Sequence, residues 1–273
     1  MRYQLLATDM DGTLLNDKKE ISAENQKAVN QALDMGKDVI FSTGRSLSET
    51  KSYFATFPKM RYLLCESGAL LYDIHEQKIL NQETIDPAAA EEILMYTTRR
   101  DVLLQIMMKG KSMFEDGMLE RLAYYQNDHL QKMFRDSGTF CPDVIDYCRK
   151  HGWQADKICI YHTTPEEREL TLQQLQHLPV TMAFSEKTSL EITPAGVDKG
   201  TALKKLCELL GLDIEQVIAV GDAPNDHAIL ETAGLAVAMG NATDSVRQLC
   251  HTIVADNDHH GVKEAIERYL LEK

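Results

Sequence analysis

Short apolar runs alternate with amphipathic stretches near the beginning of the chain, and this alternation predicts strands separated by helices. The apolar run at 5–7 predicts a first strand, and Ser22 is placed to cap a helix that Gly36 would end. The segments at 38–42 and 62–65, which have apolar centres, predict two more strands, with a second capped helix between them. This order of strands and helices predicts a parallel sheet with right-handed crossovers.

The pattern changes near Thr84, where short strands follow one another closely and the helices become unequal in length. Such a mixture is typical of a small α+β domain. From Lys199 onward the regular alternation returns, so the long interval between the two α/β segments predicts an inserted domain that begins near Thr84. The remaining predicted helices are at 87–99, 119–134, 143–150, 199–210, 226–232 and 262–271, with another that begins at 164–167. The remaining predicted strands are at 103–108, 157–161, 180–184, 190–192, 217–220 and 235–239, with another after the turn at 109–111.

The composition is that of an ordinary globular protein. The 273 residues suit one large or two moderate domains, and 44% hydrophobic with 26% charged residues allows a sizeable core. The 29 basic and 42 acidic residues give a formal net charge of −13, which argues against nucleic acid and against an anionic membrane as partners. No uncharged run approaches the roughly 20 residues of a membrane span.

Six cysteines are scattered along the chain, and none belongs to a Cys-x-x-Cys pair. This usage indicates reduced thiols rather than a disulfide framework or a zinc site. The first residues lead into the first predicted strand without the hydrophobic segment of a signal peptide. We therefore expect a cytoplasmic protein, and the sequence does not indicate its oligomeric state.

Asp9 and Asp11 stand two residues apart just after the first predicted strand, followed by Gly12 and Thr13. Two carboxylates held at the end of a buried strand repel one another and are costly to desolvate. A divalent cation would compensate them, and the glycine turn offers backbone amides to an anion. The pattern predicts a metal-dependent site for phosphate chemistry, in which one carboxylate is free to act as nucleophile.

A second acidic segment follows the predicted strand 217–220 and contains Asp222, Asn225 and Asp226. Open α/β sheets bind their ligands beyond the carboxyl ends of parallel strands. Asn225 alone would be read as the cap of the next helix. Because two acidic segments at two such strand ends are unexpected by chance, they predict a shared site.

Two further segments offer groups that bind phosphate. Thr43, Gly44 and Arg45 follow the strand at 38–42 and supply a hydroxyl, backbone amides and a guanidinium. Lys199 stands in the first turn of a helix, where its charge opposes the helix dipole. This position indicates another role for Lys199, such as pairing with carboxylates or phosphate.

Taken in order, these four segments resemble the haloacid-dehalogenase-like (HAD) hydrolase superfamily, and the resemblance spans nearly the whole chain. Other short segments are similar to those of the Cof-type phosphatases, namely Gly68-Ala69, Glu191-Ile192, residues 237–242 and Gly261-Val262. The chain departs from the family pattern at Ser67, where an asparagine is usual, and at Asp198, where a small polar residue is commoner. Neither departure removes a catalytic position.

The resemblance implies an α/β fold with a doubly wound parallel-sheet (HAD-like, Rossmannoid) core and an inserted α/β cap domain of Cof type. By this resemblance the core is expected to contain residues 1–83 and 190–273, and the cap residues 84–189. It also implies an enzyme that hydrolyses a phosphate monoester with Mg²⁺. Asp9 would attack phosphorus and form an aspartyl phosphate, and Asp11 would donate and then accept a proton.

The resemblance assigns further residues to metal and phosphate. The Asp9 carboxylate, the Asp11 backbone carbonyl and Asp222 would hold Mg²⁺. Lys199, as a catalytic residue, would bind the phosphoryl group together with Thr43, and Gly12 and Gly44 would bring backbone close to it. The supporting residues would be Asn225, Asp226 and Arg45.

The expected partner is a small phosphorylated metabolite, either a sugar phosphate or a cofactor or nucleotide phosphate. A phosphosugar mutase of the same superfamily is an alternative, and a non-catalytic sugar-phosphate sensor is another. The inserted domain is expected to meet the leaving group, with Lys109, Lys111 and Tyr124 as candidate contacts.

Overall fold

The computed structural model describes residues 3–185 and 187–271. We number its strands and helices in chain order. Strands β1 to β14 are Leu5–Thr8, Asp38–Ser42, Tyr62–Cys65, Leu70–Asp73, Lys78–Gln82, Leu103–Met108, Lys111–Glu115, Thr139–Cys141, Lys157–Tyr161, Val180–Ala183, Ser189–Pro194, Val217–Gly221, Leu235–Ala238 and Thr252–Ile253. Helices α1 to α10 are Ala23–Asp34, Leu47–Thr50, Pro87–Thr97, Gln131–Ser137, Val144–Lys150, Pro165–Leu175, Lys199–Leu210, His227–Thr232, Asp244–Leu249 and Gly261–Ala265.

The chain folds into two compact units. The first contains the described residues up to Gly44, residues 52–81 and the described residues from Asp198 onward. The second contains Arg45–Lys51 and residues 82–197. The chain therefore passes between the units four times.

The first unit is built on an eight-stranded sheet in the order β14-β13-β12-β1-β2-β3-β4-β5. Strand β1 lies between β12 and β2 and is parallel to both, whereas β4 runs antiparallel to β3. The β1 residues Leu5, Leu6 and Ala7 are all buried, because the central strands of a parallel sheet are covered on both faces. The prediction of a doubly wound, mostly parallel core is confirmed.

The second unit is built on a six-stranded sheet in the order β10-β11-β9-β6-β7-β8, in which only β7 and β8 are parallel among the pairs described. Ile106, Ile158 and Ile192 lie on one face of this sheet and pack with Ile93 and Leu94 of α3. A largely antiparallel sheet covered by helices is the α+β arrangement that the spacing of its elements predicts.

The opposite face of the second sheet carries a buried polar network. Lys157 Nζ lies 2.8 Å from Glu191 Oε2. Gln105 Nε2 donates to Glu49 Oε1 at 2.7 Å, and Ser112 Oγ donates to the same oxygen at 2.7 Å. Because a buried charge is stable only when paired or hydrogen-bonded, this network fixes the register of the strands that supply it.

Besides residues 82 and 83, which lie in the second unit rather than in the predicted core, the unit boundaries differ from the predicted ones in two places. Residues 190–197, predicted as core, belong to the second unit, because β11 pairs with β9 and β10. Arg45–Lys51, also predicted as core, belongs to the second unit, where Glu49 joins the polar network. Both differences come from hydrogen bonds between residues far apart in sequence.

Several local elements also differ from prediction. Residues 119–134 form two 3₁₀ helices, Leu119–Arg121 and Asp128–Leu130, before α4, rather than one helix. Between them Gln126 adopts a φ of 60°, which interrupts a helix. The final helix ends in a π-helical turn at Ile266–Leu270, and strands β4 and β5 were not predicted.

Within the described residues, no helix is both long and apolar enough to cross a membrane. The six cysteines are free thiols, and four of them, Cys65, Cys148, Cys159 and Cys207, are buried.

The buried pair of Lys157 and Glu191 makes a testable prediction about stability. We expect Lys157→Ala to lower the free energy of unfolding by about 3–5 kcal/mol, because it leaves the Glu191 carboxylate buried without its partner. Denaturant unfolding measures this change.

The matched control is Lys132→Ala, whose ion pair with Asp136 is 3.4 Å long between side chains 88% and 59% exposed. That variant should cost less than about 1 kcal/mol. If the two variants cost the same, the Lys157 pair does not stabilise the second unit.

Candidate active site

Three neighbouring strands of the first sheet bring their carboxyl ends to one edge. Thr8 of β1 lies beside Phe41 of β2 and beside Val220 of β12. Asp9 directly follows β1, Thr43 directly follows β2 and Asp222 directly follows β12. The parallel register therefore places these three residues at the same edge of the sheet.

Lys199 bridges two carboxylates at this edge. Its Nζ lies 2.6 Å from Asp9 Oδ1 and 2.6 Å from Asp226 Oδ1, and all three side chains are buried. Lys199 is the first residue of α7, and its neighbour Gly200 lets this helix approach α8, since a Cβ there would lie 2.4 Å from the Ala228 carbonyl oxygen. The close helix contact holds the ammonium group between the carboxylates.

A third carboxylate completes the cluster. Ligand oxygens of Asp9, Asp222 and Asp226 all lie within 4.8 Å of one another. Asp222 Oδ1 accepts a hydrogen bond from Thr13 Oγ1 at 2.7 Å. Asp226 Oδ2 accepts from the Asp222 amide at 3.0 Å, so Asp226 holds both the lysine and the loop after β12.

Burial and mutual repulsion dominate the electrostatics of these groups. Burial raises the pKa of Asp9 well above its usual value, Lys199 lowers it, and the charges of Asp226 and Asp222 raise it further. Burial, with the charge of Asp226, raises the pKa of Asp222 to about 6. Burial alone would lower the pKa of Lys199, but Asp226 and Asp9 outweigh it and raise that pKa. The cluster has one positive charge for three carboxylates.

The donor set fits a hard divalent cation such as Mg²⁺, which prefers oxygen ligands. Three carboxylates with a single ammonium leave negative charge for a cation to offset. The side-chain oxygen Oδ1 of Asn225 is buried and has no hydrogen-bond partner among the described residues. An oxygen left in this condition beside acidic groups is suited to a metal or its water shell.

The turn after Asp9 is shaped by a glycine. Gly12 has a φ of +78°, and a Cβ there would lie 2.5 Å from Asp222 Oδ2. The Asn241 amide group donates to the Gly12 carbonyl oxygen at 2.8 Å. This turn therefore keeps its backbone close to the acidic cluster, where a side chain would displace Asp222.

The other predicted site residues are distributed as follows. The Asp11 carboxylate is about one-third exposed and pairs with Lys19 at 3.0 Å. Thr43 is buried, and its backbone amide donates to the Leu64 carbonyl oxygen at 2.9 Å. Gly44 ends the first segment of the first unit, whereas Arg45 belongs to the second unit.

Two contributions were not predicted from the sequence. Thr13 holds Asp222, and Asn241 holds the Gly12 turn. Thr13 lies within the Asp-x-Asp-Gly-Thr segment, and this position in the sequence could have indicated that it contributes to the site. Nothing in the sequence near Asn241 indicates which backbone carbonyl it binds.

A mostly parallel sheet with a lysine-bridged carboxylate cluster at its carboxyl edge, interrupted by an inserted unit, defines a HAD-like hydrolase fold. Residues 6–266 match the family model described as haloacid dehalogenase-like hydrolase. The chain belongs to this family, which confirms the resemblance and the fold class indicated by its sequence.

Named relatives of the chain are phosphatases. The 5-amino-6-(5-phospho-D-ribitylamino)uracil phosphatase YcsE of Bacillus subtilis (strain 168) is 31% identical over 269 residues, covering 98% of this chain and 96% of the relative. The HMP-PP phosphatase of Serratia proteamaculans (strain 568) is 30% identical over 271 residues, covering 98% and 94%. The predicted class of enzyme, a HAD-type phosphatase, is the class of both relatives.

A solved structure has the same architecture. A haloacid dehalogenase-like hydrolase from B. subtilis superimposes with a TM-score of 0.86 at 26% sequence identity. The match covers 98% of this chain and 99% of that one. The likeness therefore extends over both units of the fold.

The raised pKa of Asp222 makes a testable prediction about metal-free protein. A carboxyl whose folded-state pKa is about 6 rather than 3.8 contributes stability at low pH that is lost as the pH rises through 6. In chelator at pH 7–8, Asp222→Asn should therefore raise the melting temperature by about 2–6 °C. It should also flatten the dependence of the melting temperature on pH between 4 and 7.

The control has the opposite sign. Burial would raise the pKa of Asp73, but hydrogen bonds from the Glu76 amide and from Arg61 lower it. Asp73→Asn should therefore destabilise the protein near neutral pH. A lower melting temperature for Asp222→Asn would show that its carboxylate is not strained in the metal-free protein.

Proposed function

We propose that this protein is a Mg²⁺-dependent phosphatase that hydrolyses small phosphate monoesters through an aspartyl-phosphate intermediate. The observation that carries the proposal is the Lys199 ammonium shared at 2.6 Å between Asp9 and Asp226, with Asp222 beside them. A buried nucleophile, a fixed cation and an acidic cluster are the groups that phosphoryl transfer requires.

Asp9 is the nucleophile in this proposal. Lys199 bonds to Oδ1 of Asp9, which keeps the carboxylate oriented and leaves its second oxygen outside that bond. An Asp9 oxygen forms a bond to phosphorus while the ester bond from phosphorus to the leaving oxygen breaks. Water then attacks phosphorus and releases inorganic phosphate, which regenerates the Asp9 carboxylate.

Asp11 moves the protons of both steps. It gives a proton to the leaving oxygen and then takes one from the attacking water. Its carboxylate is more exposed than that of Asp9, and its ion pair with Lys19 joins two side chains that are 35% and 40% exposed. Because such exposed pairs are weak in water, the ion pair with Lys19 does little to oppose proton exchange by Asp11.

The remaining residues bind the phosphoryl group and the cation. Thr43 and Lys199 offset the charge that develops on the phosphoryl oxygens, and the backbone of Gly12 and Gly44 approaches them. When bound, Mg²⁺ would be held by Asp9, the Asp11 carbonyl and Asp222, and would supply further positive charge to those oxygens.

Three residues support this arrangement. Asp226 positions Lys199, with which it forms a 2.6 Å ion pair. Asn225 offers a buried oxygen to the water shell of the cation. Arg45, which directly follows the Thr43-Gly44 segment, is a further supporting residue in this proposal.

The proposed substrate is a small phosphorylated metabolite, a sugar phosphate or a cofactor or nucleotide phosphate, in the cytoplasm. The names of the relatives support this class, since one acts on a phosphoribitylamino uracil and another is an HMP-PP phosphatase. In this proposal the second unit sets substrate preference, since every proposed nucleophile, acid and metal ligand lies in the first unit.

The test is release of inorganic phosphate from a panel of sugar, cofactor and nucleotide monophosphates. We expect release with Mg²⁺, none in EDTA, and recovery when Mg²⁺ is restored. Asp9→Asn should lower kcat at least about 1,000-fold, because an amide is not a competent nucleophile.

Asp34→Asn is the control, since Asp34 is an exposed carboxylate of the same unit that pairs with Lys59. It should retain wild-type turnover. Activity in Asp9→Asn within about tenfold of wild type would exclude Asp9 as nucleophile. Isomerisation that requires a bisphosphate and releases little phosphate would identify a mutase, and binding without turnover would identify a sensor.

The role of Asp11 predicts a dependence on the leaving group. An aryl phosphate has a good leaving group that scarcely needs a proton, whereas a sugar phosphate requires one. Asp11→Asn should therefore release about one equivalent of aryl alcohol in a rapid burst and then turn over slowly. With a sugar phosphate, rapid quenching should detect no burst of free sugar. Equal loss of the first step on both substrates would remove Asp11 from the acid role.

A further inference from the structure

The turn that follows β3 has an unusual backbone. Glu66, Ser67 and Gly68 have φ values of 56°, 55° and 99°, so three consecutive residues lie in the left-handed region. Residues with a Cβ seldom adopt this region, and runs of them persist only where surrounding contacts hold them. The contacts of this turn lead to two residues of the proposed active site.

The first contact is with Thr43. The Ser67 amide donates to the Thr43 carbonyl oxygen at 3.1 Å, and the Thr43 amide donates to Leu64 of β3 at 2.9 Å. Both backbone polar groups of Thr43 are thus bonded to β3 or to the turn after it. The direction of the Thr43 side chain depends on this turn.

The second contact is with the start of α7. A Cβ on Gly68 would lie 2.2 Å from the Asp198 carbonyl oxygen and 3.1 Å from the Lys199 amide nitrogen. Asp198 is the N-cap of α7, and its side chain accepts from the Thr201 amide. Because backbone cannot yield as a flexible side chain does, Gly68 sets how closely the turn approaches Lys199.

We infer that the Glu66–Gly68 turn is a positioning element of the active site, which fixes Thr43 and Lys199 relative to each other. This inference rests on the proposed function of those two residues. A turn needed only to reverse the chain requires no close approach, as Gly36 shows. Gly36 has a φ of +77° in the same unit, and a Cβ there would meet nothing within 4 Å.

The test compares Gly68→Ala with Gly36→Ala. Both variants force a left-handed alanine, so both should lower the melting temperature. Only Gly68→Ala displaces Lys199, and a displacement near 1 Å predicts a kcat about 100-fold lower. The inhibition constant of inorganic phosphate should rise about tenfold or more, since phosphate meets both positioned residues. Gly36→Ala should leave both constants near wild type.

A milder variant provides the test if Gly68→Ala does not fold. Ser67→Val strains the residue whose amide bonds Thr43 but adds no atom at Gly68, and we expect roughly tenfold weaker phosphate inhibition. Folding at the assay temperature is verified for each variant by circular dichroism. If folded Gly68→Ala or Ser67→Val matches Gly36→Ala in kcat and phosphate inhibition, the inference is wrong.

A readout without turnover separates this inference from the proposed function. In amide NMR spectra, Ser67→Val should shift the resonance of Thr43, and Gly68→Ala should shift those of Thr43 and Lys199. Gly36→Ala should leave both resonances in place. Unmoved resonances would overturn the inference even in an active enzyme. A wild-type protein that releases no phosphate would instead overturn the proposed function while the spectra still test the turn.

Discussion

The Lys199 ammonium is the group on which the arrangement of the site depends. It is fully buried, and its two ion pairs, each 2.6 Å long, reach residues 190 and 27 positions away in the chain. A lysine or an aspartate buried without a partner would destabilise the fold, and the ion pairs between Lys199 and the two aspartates offset that cost. The packing of α7 against α8 and the paths of the loops after β1 and β12 must therefore together place the ammonium group between the two carboxylates. This requirement explains why glycines stand at 200 and 221, where a Cβ would lie 2.4 Å from the Ala228 carbonyl oxygen and 2.6 Å from Asp226 Oδ2.

One lysine does not neutralise three carboxylates, and this imbalance links stability to function. The metal-free cluster holds the pKa of Asp222 near 6, because burial and the Asp226 charge oppose its ionisation. The same uncompensated charge would favour the binding of a divalent cation, and such binding would then stabilise the protein. A cluster neutralised by a second lysine would be more stable alone and would bind a cation less well. The excess negative charge that destabilises the metal-free site is therefore the feature that its proposed chemistry requires.

The sequence predicted those parts of the molecule that depend on local patterns. The strands β1, β2, β3 and β12 are largely apolar segments, and the acidic segments after β1 and β12 are visible as motifs. The edge of the sheet where these motifs meet followed from the parallel topology. The parts that were not predicted depend on distant contacts. Residues 190–197 join the second unit through pairing of β11 with β9, and Glu49 carries Arg45–Lys51 there through bonds to Gln105 and Ser112. The bond from Thr13 to Asp222 spans 209 positions, and the left-handed Glu66 and Ser67 have side chains that ordinarily avoid that conformation.

The positions where the chain passes between its two units determine where strain in the second unit could reach the proposed site. One lies after Gly44 and another before Asp198, so each is next to a segment that carries a proposed phosphate-binding residue. Covalent continuity alone would transmit strain in the second unit to Thr43 and Lys199. Both residues are, however, anchored within the first unit, Thr43 through Leu64 and Ser67, and Lys199 through Asp9 and Asp226. These anchors allow the inserted unit to vary in sequence and in contacts while the reacting groups keep their geometry. The proposed catalytic arrangement can then stay the same while the unit proposed to set substrate preference changes.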